Sequence, residues 1–123
     1  MVKEFVIAGH GNLEKTTQML EKEPLLLHVS WDWGDGDFEE AIEGAAHVGN
    51  RDIALFLIEK GARMNLFTAA MLGKLEIVQP MIEAFPNLLH SKGPHGLSLM
   101  HHAEKGGEQA SDVLRYIKSK SGH

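Results

Sequence analysis

Histidine is the residue type in this chain best suited to chemistry, because a neutral imidazole can bind a metal ion or transfer a proton near neutral pH. The chain has eight histidines, and the densest group is His90, His95, His101 and His102. Their spacing matches no helical zinc motif, and the adjacent His101 and His102 point to different faces of any helix. We therefore predict no metal ion and no other cofactor. One alternative stays open, a small-molecule- or metal-binding regulatory module or enzyme that uses the His90–His102 region.

The stretch from Trp31 to Asp37 combines two indoles with several carboxylates and is the most unusual part of the sequence. One interpretation is a recognition loop, in which Trp31 and Trp33 anchor a partner and the acids meet its positive rim. The other is a packing plug, in which the indoles fill a gap between helices. In that case Asp35 or Asp37 caps the helix that begins near Phe38. The acid spacing does not fit an EF-hand calcium loop.

Sequence signatures of catalysis are weak. Gly9, His10 and Gly11 form only part of a dinucleotide-binding pattern, because Glu14 stands where the third glycine belongs. Ser98 lies close to His101, but no Gly-x-Ser-x-Gly elbow surrounds the serine. We predict that the protein has no catalytic residues and is not an enzyme.

Composition excludes several classes of function. The chain has 123 residues and a net charge of −5, and this sign disfavours a nucleic-acid partner. It has no cysteine, which removes disulfides, thiolate catalysis and thiolate metal sites. Its apolar runs are far shorter than the ~20 residues of a membrane span or the core of a signal peptide. We therefore expect a cytoplasmic protein that does not contact membranes.

A repeated pattern organises the chain: small residues, a glycine, an acid three residues later and then an apolar pair. The acids that mark the four copies, the last of them looser, are Glu14, Asp52, Glu76 and Asp112. After Gly49 and Gly73 apolar residues recur at helical spacing, so each copy predicts two short antiparallel helices. Both glycines should follow the end of a helix, where a positive φ is common.

A longer period lies above the first one. Gly11 and Gly73 are 62 residues apart, and so are Pro24 and Pro86. The chain therefore looks like two copies of a two-repeat unit.

Residues 45–65 resemble the ankyrin repeat, with a small pair, Gly49, Asp52 and the ending Gly-Ala-x-x-Asn in register. Residues 69–78 match the first half of the repeat, and 96–103 resemble its opening. The resemblance looks specific to small bacterial ankyrin-repeat proteins with a Trp-Asp-Trp-Gly loop. It implies an all-α, ankyrin-like α-solenoid of about four helix-turn-helix repeats. The short spacing between the second and third copies implies that one inter-repeat finger is missing.

The resemblance covers nearly the whole chain and implies a single ankyrin-repeat domain over residues 1–120. The expected repeats are roughly 2–30, 31–65, 66–92 and 93–120. Residues 121–123 are expected to form a flexible tail. The solenoid should be a monomer or a weak dimer.

Ankyrin-like repeats imply a protein–protein interaction module that binds through its concave face, here with an unknown protein partner. Met71 and Leu72 should be partly exposed on that face, unless the missing finger lets the chain cover them. The expected partner-binding residues are Trp31, Trp33, Asp35, Asp37, His47, Val48, Met71, Leu72, His102 and Lys105.

Overall fold

Short helices dominate the fold, as the repeated apolar pattern predicts. The computed structural model describes residues 1–121, which form eight α-helices. They are α1 (Val2–Gly11), α2 (Leu13–Lys22), α3 (Ala41–Val48), α4 (Arg51–Glu59), α5 (Leu66–Leu72), α6 (Leu75–Ala84), α7 (Leu99–Lys105) and α8 (Ser111–Ser121). Short 3₁₀ helices cover Pro24–His28, Pro86–His90, Pro94–Gly96 and Gly107–Ala110. None of the helices in residues 1–121 combines the length and the apolar character needed to cross a bilayer.

A two-stranded antiparallel sheet departs from the all-α expectation. Its strands are β1 (Ser30–Asp32) and β2 (Phe38–Glu40). Trp31 pairs with Glu39, and the Asp32 carboxylate closes the turn by accepting the backbone N–H groups of Gly34 and Gly36. Aromatic residues favour strands, and the glycines adopt the positive φ that this turn needs. The hairpin thereby presents Glu39 to the helices on one of its faces.

The helices are arranged as four consecutive pairs. Within each pair the two helices pack on each other, and the first helices form a row in which α1 contacts α3, α3 contacts α5 and α5 contacts α7. One apolar core comes mainly from the first half of the chain and includes Phe5, Ile42 and Leu57, together with Met71 and Leu72 of α5. A second core lies in the other half and includes Val78 and Leu99. The row brings side chains from distant parts of the sequence onto one surface.

The ends of several helices have the residue types that favour those positions. Gly49 and Gly73 end α3 and α5 with φ of 78° each, which confirms the prediction made for them. Ser98 caps α7 by accepting the N–H of His101, the helix-start role that its type favours. The proposed cap of α3 is wrong: Glu40, rather than Asp35 or Asp37, occupies that position, because β2 continues up to the helix.

The prediction that Met71 and Leu72 are partly exposed is also wrong, and the alternative, that the chain covers them, is the one observed. Met71 and Leu72 are buried, and so is His102. The cause is that α5 lies between α3 and α7, while Gly106 lies against the backbone of Met71 and Arg51 donates a hydrogen bond to the Leu72 carbonyl. These three side chains are therefore part of the interior.

The prediction of a flexible tail is wrong for its first residue, Ser121. Ser121 belongs to α8, and its hydroxyl donates a hydrogen bond to the carbonyl of Ile117. The rest of the predicted tail, residues 122–123, lies outside the described residues.

Candidate metal centre

The histidines singled out in the sequence do not converge as one group. His90 is exposed, whereas His101 donates from Nε2 to the carbonyl of His47 at 2.9 Å. His102 is buried and donates from Nδ1 to the carbonyl of Ser98 at 2.7 Å. Only His95 joins a cluster of titratable side chains.

That cluster consists of His10, Glu39, His47 and His95. One ring nitrogen or carboxylate oxygen from each residue can be chosen so that all four atoms lie within 4.8 Å of one another. Each residue comes from a different element: α1, β2, α3 and the 3₁₀ turn before α7. The hairpin and the row of first helices are thus what bring the four side chains together.

Glu39 lies at the buried end of the cluster, with 0% of its side chain exposed. Its Oε1 accepts a hydrogen bond from the indole N–H of Trp33 at 2.9 Å. Its Oε2 has no hydrogen-bond partner within residues 1–121, although it lies 3.0 Å from His47 Nε2 and 3.4 Å from His95 Nε2. Burial alone would raise the pKa of Glu39, but the imidazoles of His10 and His47 and the Trp33 N–H lower it well below its usual range. Oε2 is therefore an ionised oxygen that remains available to a cation.

His10 is oriented by its backbone contact in α1. Its Nδ1 donates to the carbonyl of Val6 at 2.8 Å, which leaves Nε2 as the nitrogen that faces the cluster. Nε2 lies 3.2 Å from Glu39 Oε1 and 3.1 Å from His47 Nε2. Glu39 raises the pKa of His10 against the opposing effect of burial. A side chain at Gly44 would overlap the His10 ring, so this glycine makes room for the imidazole.

His95 is held from outside the cluster by Asp37. The two carboxylate oxygens of Asp37 accept the backbone N–H and the ring Nδ1–H of His95, both at 2.7 Å. These contacts support the left-handed φ of 63° at His95 and direct its Nε2 toward Glu39. The hydrogen bond from the His95 backbone, followed by that from its ring, lowers the pKa of Asp37. A carboxylate that accepts from a histidine in this way fixes the ring and increases its basicity as a metal ligand.

The spacing of these atoms suits a small tetrahedral metal ion. Ligands 2.0–2.1 Å from a zinc ion are separated from one another by about 3.3 Å in a tetrahedron. The Nε2 atoms of His47 and His95 lie 3.0 and 3.4 Å from Glu39 Oε2, and His10 Nε2 lies 3.2 Å from Oε1 and 3.1 Å from His47 Nε2. The four ligand atoms together lie within 4.8 Å of one another, so a bound ion would draw them slightly closer. Three imidazoles with one carboxylate are ligands that zinc accepts, together with other divalent transition metals.

The other predicted partner-binding residues differ in their exposure and contacts. Trp33 is half-buried and supports Glu39, and Trp31 is half-buried in the hairpin. Asp35, Val48 and Lys105 are exposed. His47 and Asp37, predicted as partner contacts, instead lie in the cluster or against it.

His10 and Glu39 were not among the predicted site residues. A signal for His10 was present, because His10 and His47 lie one and two residues before the repeated glycine, at Gly11 and Gly49. Glu39 gave no such signal, since its inward direction depends on a hairpin that the helical pattern does not predict.

The pH dependence of the free energy of unfolding tests whether His102 is buried in its neutral form. Burial lowers its pKa to about 4 from the ordinary 6.5, and the nearby His101 and His47 add to the shift against the opposing effect of the Ser98 carbonyl. The unfolded chain therefore binds a proton at His102 below about pH 6.5, whereas the folded chain binds it only below about pH 4. We expect His102 to reduce the free energy of unfolding by about 3 kcal/mol as the pH falls through this interval.

Urea unfolding at pH 7, 5.5 and 4.5 measures this effect, and a His102→Leu variant isolates it. The variant should lose less stability than the parent protein across the interval. An equal loss in both proteins would show that the folded state does not exclude the proton from His102.

Comparison with known proteins gives no further assignment. No protein-family model matches the chain, and no curated protein or solved structure matches it either. The function is therefore argued from the geometry of the cluster.

Proposed function

We propose that this protein binds one divalent transition-metal ion, with zinc as the best match, through His10, Glu39, His47 and His95. The observation that carries the proposal is the convergence of three Nε2 atoms on the buried carboxylate of Glu39. The Nδ1 atoms of His10 and His95 already donate to other groups, so their Nε2 atoms can offer lone pairs. Such a site is prepared by the fold before the ion arrives.

The negative charge of the buried Glu39 carboxylate also supports the binding of a cation. A buried carboxylate is costly unless a cation or strong hydrogen bonds compensate it. Glu39 has one oxygen hydrogen-bonded to Trp33 and a second oxygen beside His47 and His95. A divalent ion at this point compensates the carboxylate while the histidines stay neutral. The ion would then link four separate elements of the fold.

Zinc titration in competition with a coloured chelator tests the proposal. The protein should bind one zinc ion per chain, and His47→Gln should weaken binding by at least about 100-fold, since loss of a direct ligand should exceed the effect of losing an outer-shell partner. His90→Gln is the matched control, because His90 is exposed and lies outside the cluster. Equal affinity in the two variants would refute the assignment of the ligands.

We also infer that the four helix pairs are ankyrin-type repeats. The row of first helices, the glycines that end α3 and α5, and the register of residues 45–65 support this inference. The hairpin then takes the place of an extended inter-repeat finger. A cysteine-free chain of this kind suits the cytoplasm, where we place the protein.

Protein recognition is the second candidate function. Exposed apolar side chains at Ile7 and Val48 favour it, because each lines a surface pocket that also includes His10. A metal-dependent partner would then dock beside the ion. A photo-crosslinking residue at position 48 should capture such a partner, whereas the same residue at exposed Leu55 on α4 should not.

A further inference from the structure

We propose that the bound metal keeps a position for an external ligand, and that this ligand is a small planar monoanion such as an aromatic carboxylate. The inference rests on the proposed metal site and adds a binding activity to it. Its starting point is the uneven exposure of the cluster. Glu39 is 0% exposed and His47 15%, whereas His10 is 25% and His95 31% exposed. The cluster is therefore closed on the Glu39 side and open to solvent on the side of His10 and His95.

A pocket of about 290 Å³ lies on the open side. Its walls are His10, His95, Trp33 and Ile7. Two of these residues are proposed metal ligands, and the other two provide aromatic and aliphatic surface. A molecule in this pocket would thus lie beside the ion, with its body against an indole and an isoleucine.

The chemistry of the walls selects the ligand. The indole N–H of Trp33 is already donated to Glu39, so Trp33 offers ring surface rather than a hydrogen bond. A divalent ion with the Glu39 carboxylate and three neutral imidazoles carries one net positive charge in its own ligand set, and the Asp37 carboxylate that accepts from His95 lies outside that set. A monoanionic donor can bind the ion directly, and zinc can expand from four to five ligands to accept it. A planar apolar body attached to that donor gains contact with Trp33 and Ile7.

Cobalt(II) is the probe, because its visible absorption changes when a tetrahedral ion gains a fifth ligand. Benzoate added to the cobalt-loaded full chain should change the spectrum in a saturable way. Acetate should do so about fivefold to tenfold more weakly, since it has the same donor and lacks the ring. The experiment thus separates the metal–carboxylate bond from the contact with the pocket walls.

Ile7→Ala tests the wall directly, and Leu13→Ala is its control. Both residues are exposed, but only Ile7 lines the pocket. Ile7→Ala should weaken benzoate binding by about threefold or more and leave acetate binding unchanged, whereas Leu13→Ala should change neither. Circular dichroism and cobalt stoichiometry establish that both variants are folded and loaded.

The outcomes distinguish the two proposals. Cobalt binding with no spectral response to benzoate would overturn the external-ligand position and leave the metal site standing. A response that is equal for benzoate and acetate, and equal in both alanine variants, would overturn the choice of ligand class. Failure of the chain to bind cobalt or zinc would overturn both proposals.

Discussion

Replacing Gly73 with alanine should lower the free energy of unfolding by about 3 kcal/mol or more. Gly73 has a φ of 78°, which an alanine adopts only with strain. An added methyl group would also press against the backbone carbonyl of Gln109, in the 3₁₀ segment that follows α7. Because this neighbour is backbone, it cannot move aside as a flexible side chain would. Urea unfolding followed by circular dichroism measures the loss.

Gly11 is the matched control for this prediction. It lies 62 residues earlier, at the corresponding place in the longer period of the sequence. It is the last residue of α1, its φ is not positive, and a methyl group there meets no heavy atom within 4 Å in the described part of the chain. Gly11→Ala should therefore leave stability unchanged or raise it by up to about 1 kcal/mol. Similar losses of unfolding free energy in the two variants would contradict the claim that the positive φ and close packing of Gly73 require a glycine.

Zinc should stabilise the folded protein strongly, and Glu39→Gln should remove that stabilisation. The ligands come from four elements, so the complete site exists only in the folded chain. At a free zinc concentration about 100 times the Kd, the gain in unfolding free energy should be about 2.7 kcal/mol. A neutral amide in place of the buried carboxylate is a much poorer partner for the ion. Thermal and urea unfolding with and without zinc measure both effects.

Glu14→Gln controls for the change of charge. Glu14 is an exposed acid in the first turn of α2, outside the cluster, and its variant should respond to zinc as the parent protein does. If Glu39→Gln were stabilised by zinc to the same extent as Glu14→Gln, the buried carboxylate would not be a ligand.

Local features of the fold could be predicted because they depend on neighbouring residues. The apolar spacing after Gly49 and Gly73 predicts the helices that follow, and the positive φ of both glycines follows from their place at a helix end. The burial of Met71 could not be predicted in this way. It depends on how closely α3 and α7 approach α5 from either side.

The site was harder to predict than the fold because no local spacing unites its members. His10 and Glu39 are far from His95 in the sequence, and only the packing of α1 and the hairpin around α3 brings their side chains together. His101 and His102 illustrate the opposite case, since they are adjacent yet each bonds a different backbone carbonyl. Density of histidines along the chain was therefore a poor guide to their convergence in space.

The hairpin changes the interpretation of the Trp31–Asp37 segment. Trp33 donates to Glu39, and Asp37 accepts from His95, so both residues orient the cluster. Sequence reasoning offered the segment as a recognition loop or a packing plug. The contacts give Trp33 and Asp37 a third role, as supports for the proposed metal ligands.

X-ray absorption at the zinc edge on the zinc-loaded protein is the most direct test of the metal site. The account predicts four ligands: three imidazole nitrogens at about 2.0–2.1 Å and one carboxylate oxygen at about 2.0–2.2 Å, with a fifth light atom when benzoate is bound. The imidazole contribution should fall when His10 or His47 is replaced by glutamine. A shell of six oxygens, or a spectrum that neither replacement alters, would contradict the claim that these side chains hold the ion.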